Sequence, residues 1–253
     1  MPGRNDAIAS RRVNLLSSAW RRWQDAAAGE GSVAATRQLL AALFEFIRES
    51  TPARRRQRYG DAEYDWEHRV NTTSAAVSWR DRLLGILHSP YQPTESSLFH
   101  EMIGVVSAWE GFDFREFIFI DLGSGKGRTL LMASDYPFRR IVGVELLSAL
   151  HDVAQQNIDA YYSESQKCFA MESICGDATE FSFPVEPMVL FLFHPLPESG
   201  LRRVMANLER SLLENPRTVY VLYHNPLLER VLGESAALKG IGGTHQYAAY
   251  VSR

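Results

Sequence analysis

The 253-residue sequence predicts an α/β fold with a doubly wound, mostly parallel sheet, preceded by an all-helical N-terminal extension. Beyond residue 90, apolar runs of strand length alternate with segments of helix length, which is the pattern of successive βαβ units. The runs are apolar throughout, as expected of parallel strands that are buried on both faces. The first run leads directly into a glycine-rich loop, at the edge where sheets of this kind bind ligands.

The elements of the sheet domain are predicted from these runs and from the turn residues between them. The predicted strands are Phe117–Asp121, Arg140–Glu145, Ala170–Cys175, Met188–Phe193 and Thr218–Tyr223. Helices are predicted near Lys126–Ser134, Ala149–Tyr161 and Glu198–Leu213, with a further helix, capped by Thr94, from Glu95 to about Trp109. A last strand, His245–Val251, is expected to be antiparallel to its neighbour, because only a turn-rich segment precedes it, with Gly240, Gly242 and Gly243.

Residues 1–88 are predicted to form a helical extension or cap, and residues 89–253 the ligand-binding sheet domain. Helices are expected over residues 7–28 and 32–50, with a short third helix that ends near Leu87. The second helix carries an apolar stripe of Leu39, Leu43, Phe44 and Ile47. Because such a stripe requires burial, we expect the extension to be attached to the sheet domain.

Charge is unevenly distributed along the chain. The net charge is −3, yet residues 1–60 contain eleven arginines against five acidic residues, a local balance of +6. A basic extension is typical of proteins that bind nucleic acid or an acidic partner. Here the arginines are interleaved with apolar residues, which favours a solvated helical face over a nucleic-acid contact.

Composition excludes several classes of protein. With 45% hydrophobic and 23% charged residues, the chain is an ordinary globular protein. No apolar stretch is long enough for a transmembrane helix, and the scattered charges near the N-terminus argue against a secretory signal peptide. Cys168 and Cys175 form no metal-ligand pattern, which favours reduced thiols in a cytoplasmic protein and no metal site.

The glycine loop reads Asp121-Leu122-Gly123-Ser124-Gly125-Lys126-Gly127-Arg128-Thr129. A P-loop requires Ser or Thr directly after Gly-Lys, and Gly127 stands there instead. The dinucleotide pattern requires a small residue where Arg128 stands, which disfavours NAD. The pattern D-x-G-x-G-x-G is matched in full. Its carboxylate, at the end of a strand, would face a cationic or hydrogen-bond-donating ligand.

On these residues, the region from 90 to 253 resembles the class I S-adenosylmethionine (SAM)-dependent methyltransferases. In that family the acid that ends the second strand, here Glu145, binds the ribose hydroxyls of SAM. The acid of the third motif, Gly176-Asp177-Ala178, binds the adenine amino group, and the fourth motif, Leu190 to Leu196, lies beside the transferred methyl group. The resemblance implies SAM as cofactor and these binding residues: Tyr91, Thr94, Asp121, Gly123, Ser124, Gly125, Lys126, Gly127, Glu145, Leu146, Asp177, Ala178 and His194.

The fourth motif departs from the Asn/Asp-Pro-Pro-Tyr/Phe pattern of amino- and amide-nitrogen methyltransferases, because it reads His194-Pro195-Leu196. This places nucleobase or glutamine methylation in doubt. The imidazole of His194 is the candidate catalytic group, since it can orient or deprotonate an acceptor hydroxyl or amine. The side chains of Lys126 and Arg128 are expected to be solvated or packed on the first helix, rather than bound to the cofactor.

The sequence therefore predicts a SAM-dependent methyltransferase with an unidentified acceptor, either a small molecule or a protein side chain. One alternative is a non-catalytic SAM-binding regulatory module whose basic arm binds nucleic acid or a partner protein. A second alternative is an NAD-dependent oxidoreductase. Weaker acceptor-site candidates are His224, Asn225 and the aromatic and acidic cluster Tyr59, Asp61, Glu63, Tyr64, Asp65, Trp66, Glu67 and His68.

Overall fold

The computed structural model describes residues 62–73, 93–193 and 196–253, together with Trp20, 23–24, Ala27, 31–33, 36–37 and Leu40. The predicted third helix, the apolar stripe of the second helix, and the candidates Tyr91 and His194 lie outside the described residues. The described positions within the two predicted N-terminal helices are helical. Gly31 lies between them with a φ of 88°.

Strands and helices alternate through the sheet domain. The strands are β1 (Ile118–Leu122), β2 (Arg140–Glu145), β3 (Met171–Cys175), β4 (Met188–Phe193), β5 (Val219–His224), β6 (Leu238–Gly243) and β7 (Tyr247–Ser252). The helices are α1 (Ala62–His68), α2 (Ser96–Ser107), α3 (Arg128–Ala133), α4 (Ser148–Ala160), α5 (Glu198–Glu214) and α6 (Glu229–Gly233).

These strands form one sheet in the order β3-β2-β1-β4-β5-β7-β6. Strands β1 to β5 are parallel to one another, and β7 pairs antiparallel with both β5 and β6. The order reverses between β1 and β4, so the carboxyl ends of these two strands border the ligand-binding edge of a doubly wound sheet. The predicted fold class is confirmed.

The sheet is covered on both faces by apolar side chains. On one face, Ile120 and Leu190 pack in a cluster that includes Leu201 and Leu208 of α5. On the other face, Phe119 and Phe191 contact Phe99 of α2 in tilted or edge-on ring pairs. Because successive residues of a strand point to opposite faces, an uninterrupted apolar run such as β4 serves both layers.

The glycine-rich segment near the C-terminus was expected to be a turn, and this prediction is wrong. It forms β6, an edge strand paired with β7, with a register shift between Gly240 and Gly242. Glycine has no side chain to mark a strand, so the alternating signal is missing from the sequence. The short helix α6 was also not predicted.

The predicted capping role of Thr94 is wrong as well. Helix α2 begins at Ser96, and Glu95 is its N-cap residue without a side-chain capping bond. Thr94 is buried instead, and its carbonyl accepts a hydrogen bond of 2.9 Å from Nε of Arg128. None of the described helices combines the length and the apolar composition needed to cross a bilayer.

Gly143 of β2 allows the glycine loop to lie against the sheet. A methyl group at this position would lie 2.6 Å from both Leu130 Cδ1 and Ser124 Oγ. We therefore expect Gly143→Ala to lower the free energy of unfolding by about 1–3 kcal/mol, the usual cost of overpacking. Urea denaturation measures this. The control is Gly104→Ala in α2, where no atom lies within 4 Å, and which should be neutral or stabilising. Equal stabilities of the two variants would contradict the close approach.

Candidate functional site

The glycine loop turns back over β2 immediately after β1 ends. Gly123, Gly125 and Gly127 have φ values of 94°, 56° and 81°, in the left-handed region that favours glycine. The backbone amides of Gly123 and Ser124 both donate to the carbonyl of Val144, at 2.8 and 3.1 Å. This path leaves Gly123 exposed at the carboxyl edge of the sheet, whereas residues 124–127 are buried.

Asp121 lies near the end of β1 and is 2% exposed. Its Oδ2 accepts a hydrogen bond from the hydroxyl of Thr129, whereas its Oδ1 is buried and has no hydrogen-bond partner among the residues that the structure describes. Burial, reinforced by the charge of Glu145, raises the pKa of Asp121 to about 7, although the Thr129 hydroxyl opposes this. A buried acceptor without a donor is costly, so this oxygen is suited to a ligand that brings a hydrogen-bond donor or a cation.

Glu145 ends β2 and holds the loop in place. Its Oε2 accepts a hydrogen bond of 2.8 Å from the amide of Gly125, and its Oε1 accepts one of 2.8 Å from the amide of Leu147. Burial raises the pKa of Glu145, and these backbone amides act in the opposite direction. Each oxygen keeps a further lone pair for a ligand hydroxyl. Glu145, which is predicted to bind ribose, thus positions the loop.

The third predicted motif lies beside Glu145. Glu145 pairs with Cys175 in the sheet, and the amide of Gly176 donates to the carbonyl of Glu145 at 2.9 Å. Asp177 follows, half-buried, and its Oδ1 accepts hydrogen bonds of 2.8 Å from both the amide and the hydroxyl of Thr179. It thereby caps the single 3-10 turn Ala178–Glu180. Leu146 is half-buried and Ala178 is buried at the same edge.

The side chains of Lys126 and Arg128 are buried, so the prediction that they are solvated is wrong. Lys126 is 1% exposed, and its Nζ donates to the side-chain oxygen of Asn71 at 2.9 Å and to the carbonyl of Thr73 at 2.7 Å. Burial lowers the pKa of the Lys126 ammonium, and the charge of Asp65 opposes that shift. The side chain therefore points toward the N-terminal region.

Arg128 makes a second set of contacts with the same region. It is 2% exposed, and its guanidinium donates to the hydroxyl of Thr72 at 2.9 Å and lies 3.8 Å from Asp65. The guanidinium carbon also lies 4.1 Å from the ring centroid of Tyr64, a cation–π contact. Tyr64 and Asp65 of the predicted aromatic and acidic cluster are therefore packed against the glycine loop, whereas Trp66 is 85% exposed.

His224 was only a weak candidate from the sequence, and it lies at the ends of β4 and β5. It pairs with Phe193 in the sheet, and the two rings stack at 3.8 Å between centroids. The residue is 9% exposed, and within the described part of the chain its buried Nδ1 has no hydrogen-bond partner. Burial lowers the pKa of His224 to about 4, against the opposing charge of Glu95. The neighbouring Asn225 has a positive φ of 49°.

No family model matches the sequence, and no curated protein matches it. Similar solved structures include an RNA methyltransferase from Salinibacter ruber in complex with S-adenosyl-L-homocysteine, at 20% identity and a TM-score of 0.40, covering 64% of this chain and 92% of that chain. A ribosomal protein L11 methylase from Lactobacillus delbrueckii subsp. bulgaricus is 13% identical with a TM-score of 0.44, over 64% and 80% of the two chains. A TehB-like SAM-dependent methyltransferase from Corynebacterium glutamicum is 16% identical with a TM-score of 0.41, over 62% and 98%. These three structures are methyltransferases or methylases, and one of them holds S-adenosyl-L-homocysteine.

The stacked imidazole of His224 makes the stability of the protein depend on pH. Because its pKa is lowered from 6.5 to about 4, the unfolded state binds more protons than the folded state between these values. Stability is therefore lost as the pH falls through this window. The variant His224→Phe cannot take up a proton at this position. We therefore expect its free energy of unfolding, relative to that of the parent, to rise by up to about 3 kcal/mol as the pH is lowered from 7.5 to 4. Urea denaturation of both proteins across this range tests it, and a constant difference would contradict the buried, neutral imidazole.

Proposed function

We propose that the chain is a SAM-dependent methyltransferase. The observation that carries this proposal is the buried Oδ1 of Asp121, which no described residue hydrogen-bonds, beside a glycine loop at the reversal point of the sheet. A dinucleotide pyrophosphate is an anion and would be repelled by a carboxylate there. The α-ammonium group of the methionine part of SAM is instead a cation with several donors, and it fits this oxygen.

The other residues of the site fit the remaining parts of the cofactor. The spare lone pairs of the Glu145 carboxylate can accept the two ribose hydroxyls. Oδ2 of Asp177, for which no hydrogen bond occurs among the described residues, can accept the adenine amino group next to Ala178. Leu146, half-buried directly after Glu145, can add an apolar side chain to this site. We therefore propose that the predicted cofactor residues bind SAM, and that Thr94 contributes through the hydrogen bond that its carbonyl accepts from Arg128.

SAM supplies a methyl group on a sulfonium that is already activated, so the protein has to align an acceptor and exclude water. The ends of β4 and β5 provide the aromatic surface for this, formed by Phe193 and the neutral ring of His224. His194 follows Phe193 in the sequence and remains the proposed catalytic residue. The acceptor we propose is a small molecule or a protein side chain, in a cytoplasmic enzyme with two unpaired cysteines.

The structure argues against the oxidoreductase alternative at one position. The third small residue of a dinucleotide fingerprint allows close packing of helix and strand. Arg128 stands there, and its buried guanidinium bonds the carbonyl of Thr94 and the hydroxyl of Thr72. A turnover assay with SAM distinguishes the proposed enzyme from the alternative of a non-catalytic SAM-binding module, which would bind SAM without turning it over.

Cofactor binding should depend on the ionisation of Asp121. With a pKa of about 7, its carboxylate is increasingly protonated as the pH falls, and it then loses its attraction for an ammonium group. Calorimetric titration with S-adenosylhomocysteine should show affinity falling at least tenfold between pH 7.5 and pH 5.5. Asp121→Asn should bind about 10–100-fold more weakly at pH 7.5, with little pH dependence.

The matched control for Asp121→Asn is Asp113→Asn. Asp113 is a partly exposed carboxylate that caps the turn Phe114–Glu116, and asparagine can cap it equally well. This variant should keep the parental affinity at each pH. NAD should not bind the parent protein. Tighter binding of NAD than of S-adenosylhomocysteine would overturn the proposed function.

His194 is tested by kinetics once a methyl acceptor is found. If its imidazole deprotonates the acceptor, His194→Ala should lower turnover about 10²–10⁴-fold and leave the affinity for SAM nearly unchanged. The pH–rate profile should also lose the limb that a histidine contributes. A variant that loses stability and SAM affinity together, while keeping the parental pH profile, would remove His194 from the catalytic role.

A further inference from the structure

Asn157 lies on the inner side of α4 and joins two distant parts of the chain. Its Nδ2 donates to the carbonyl of Lys126 at 2.9 Å and to the carbonyl of Asn71 at 3.0 Å. Its Oδ1 accepts a hydrogen bond from the amide of Asn71 at 2.8 Å. The side chain is 4% exposed, so both of its donor hydrogens and one acceptor site are used inside the protein.

The two partners of Asn157 also contact each other. Lys126 Nζ donates to the side-chain oxygen of Asn71, which closes a ring of hydrogen bonds through the loop carbonyl, the Asn157 amide and Asn71. Lys126 is the central residue between Gly125 and Gly127, so Asn157 holds the backbone of the glycine loop from its inner side. Glu145 holds the same backbone at the amide of Gly125.

Residues 62–73, here named the docking segment, are fixed to the loop as a unit. Asp65 of α1 accepts hydrogen bonds from the amides of Thr72 and Thr73, at 2.7 and 2.9 Å, and one from the hydroxyl of Thr72. These bonds shape the turn that presents Asn71 to Asn157. Arg128 then binds Thr72, so two loop side chains and one α4 side chain all contact the docking segment.

We propose that Asn157 is a positioning residue through which cofactor binding and docking of residues 62–73 depend on each other. The inference rests on the proposed function for the identity of the ligand. A loop held in its binding conformation binds a cofactor without first having to be ordered. By linkage, a cofactor that fixes the loop strengthens docking by the same factor. The N-terminal region then sets cofactor affinity without being required to touch the cofactor.

The effect of S-adenosylhomocysteine on the full-length protein tests this coupling. Hydrogen–deuterium exchange should become slower in peptides covering residues 62–73 when the compound is added at saturation. Asn157→Asp keeps the shape of the side chain but loses both donors. It should bind the compound about tenfold more weakly, a change of 1.4 kcal/mol, and exchange faster in the docking segment.

The decisive measurement compares hydrogen–deuterium exchange in two regions of the Asn157→Asp variant, the glycine loop and the docking segment. At saturating S-adenosylhomocysteine, the loop peptide covering residues 123–127 should still be protected, whereas the protection of residues 62–73 should be lost. A simple loss of stability would instead raise exchange in both regions. The control is Gln155→Ala on the same helix, an exposed hydrogen bond to Asp159, which should leave affinity and both patterns unchanged.

The outcomes distinguish the two proposals. If the parent protein does not bind S-adenosylhomocysteine, the proposed function fails and this inference fails with it. If the parent binds, but the docking segment shows no protection, the inference alone is overturned, and this measurement needs no variant. Parental affinity in a folded Asn157→Asp variant would likewise overturn the inference and leave the proposed function intact.

Discussion

Three glycines with left-handed backbone turn the chain over β2, and the residues between and after them send their side chains into the protein. Ser124, Lys126 and Arg128 are all buried, although two of them are cations. A straighter path would carry these side chains toward solvent, and Asp121 would no longer sit beneath the loop. The conformation of this one loop therefore determines both the placement of the buried Asp121 carboxylate and the need of the two cations for hydrogen-bond partners.

Burial of two cations explains why the sheet domain carries a helical segment before it. Removing an ammonium and a guanidinium from water costs several kcal/mol each unless hydrogen bonds and an opposite charge replace the solvent. Residues 62–73 supply these, through Asp65, two backbone or side-chain acceptors for Lys126, and the Tyr64 ring beneath Arg128. Docking of residues 62–73 thus compensates for the burial of the two cations in the loop sequence.

Features of the fold and the site could be predicted from the sequence where the interacting residues lie close together along the chain. Strands β2 and β4 match their predicted bounds, because continuous apolar runs report burial locally. β6 was missed because Gly240, Gly242 and Gly243 carry no side-chain pattern. The spacing of Asp121, Glu145 and Asp177 located one edge of the sheet, but the contacts of Lys126 with residues more than fifty positions earlier leave no local signal. The stack of His224 on Phe193 likewise depends on strand pairing.

Asp121 and His224 have one feature in common, because each buries a polar atom that no group of the described residues satisfies. Asp121 pairs with Phe191 on β4, and Phe193, two residues further along, pairs with His224, so both residues lie on one face at the carboxyl edge. Their pKa values are shifted in opposite directions, and in each case burial favours the neutral form. Neither arrangement stabilises the fold, and such costs persist where function requires them. The strands β1 and β5 that carry them are two strand spacings apart, roughly 10 Å across the sheet. A cofactor anchored at Asp121 and an acceptor resting on Phe193 and His224 would meet between them, above the end of β4.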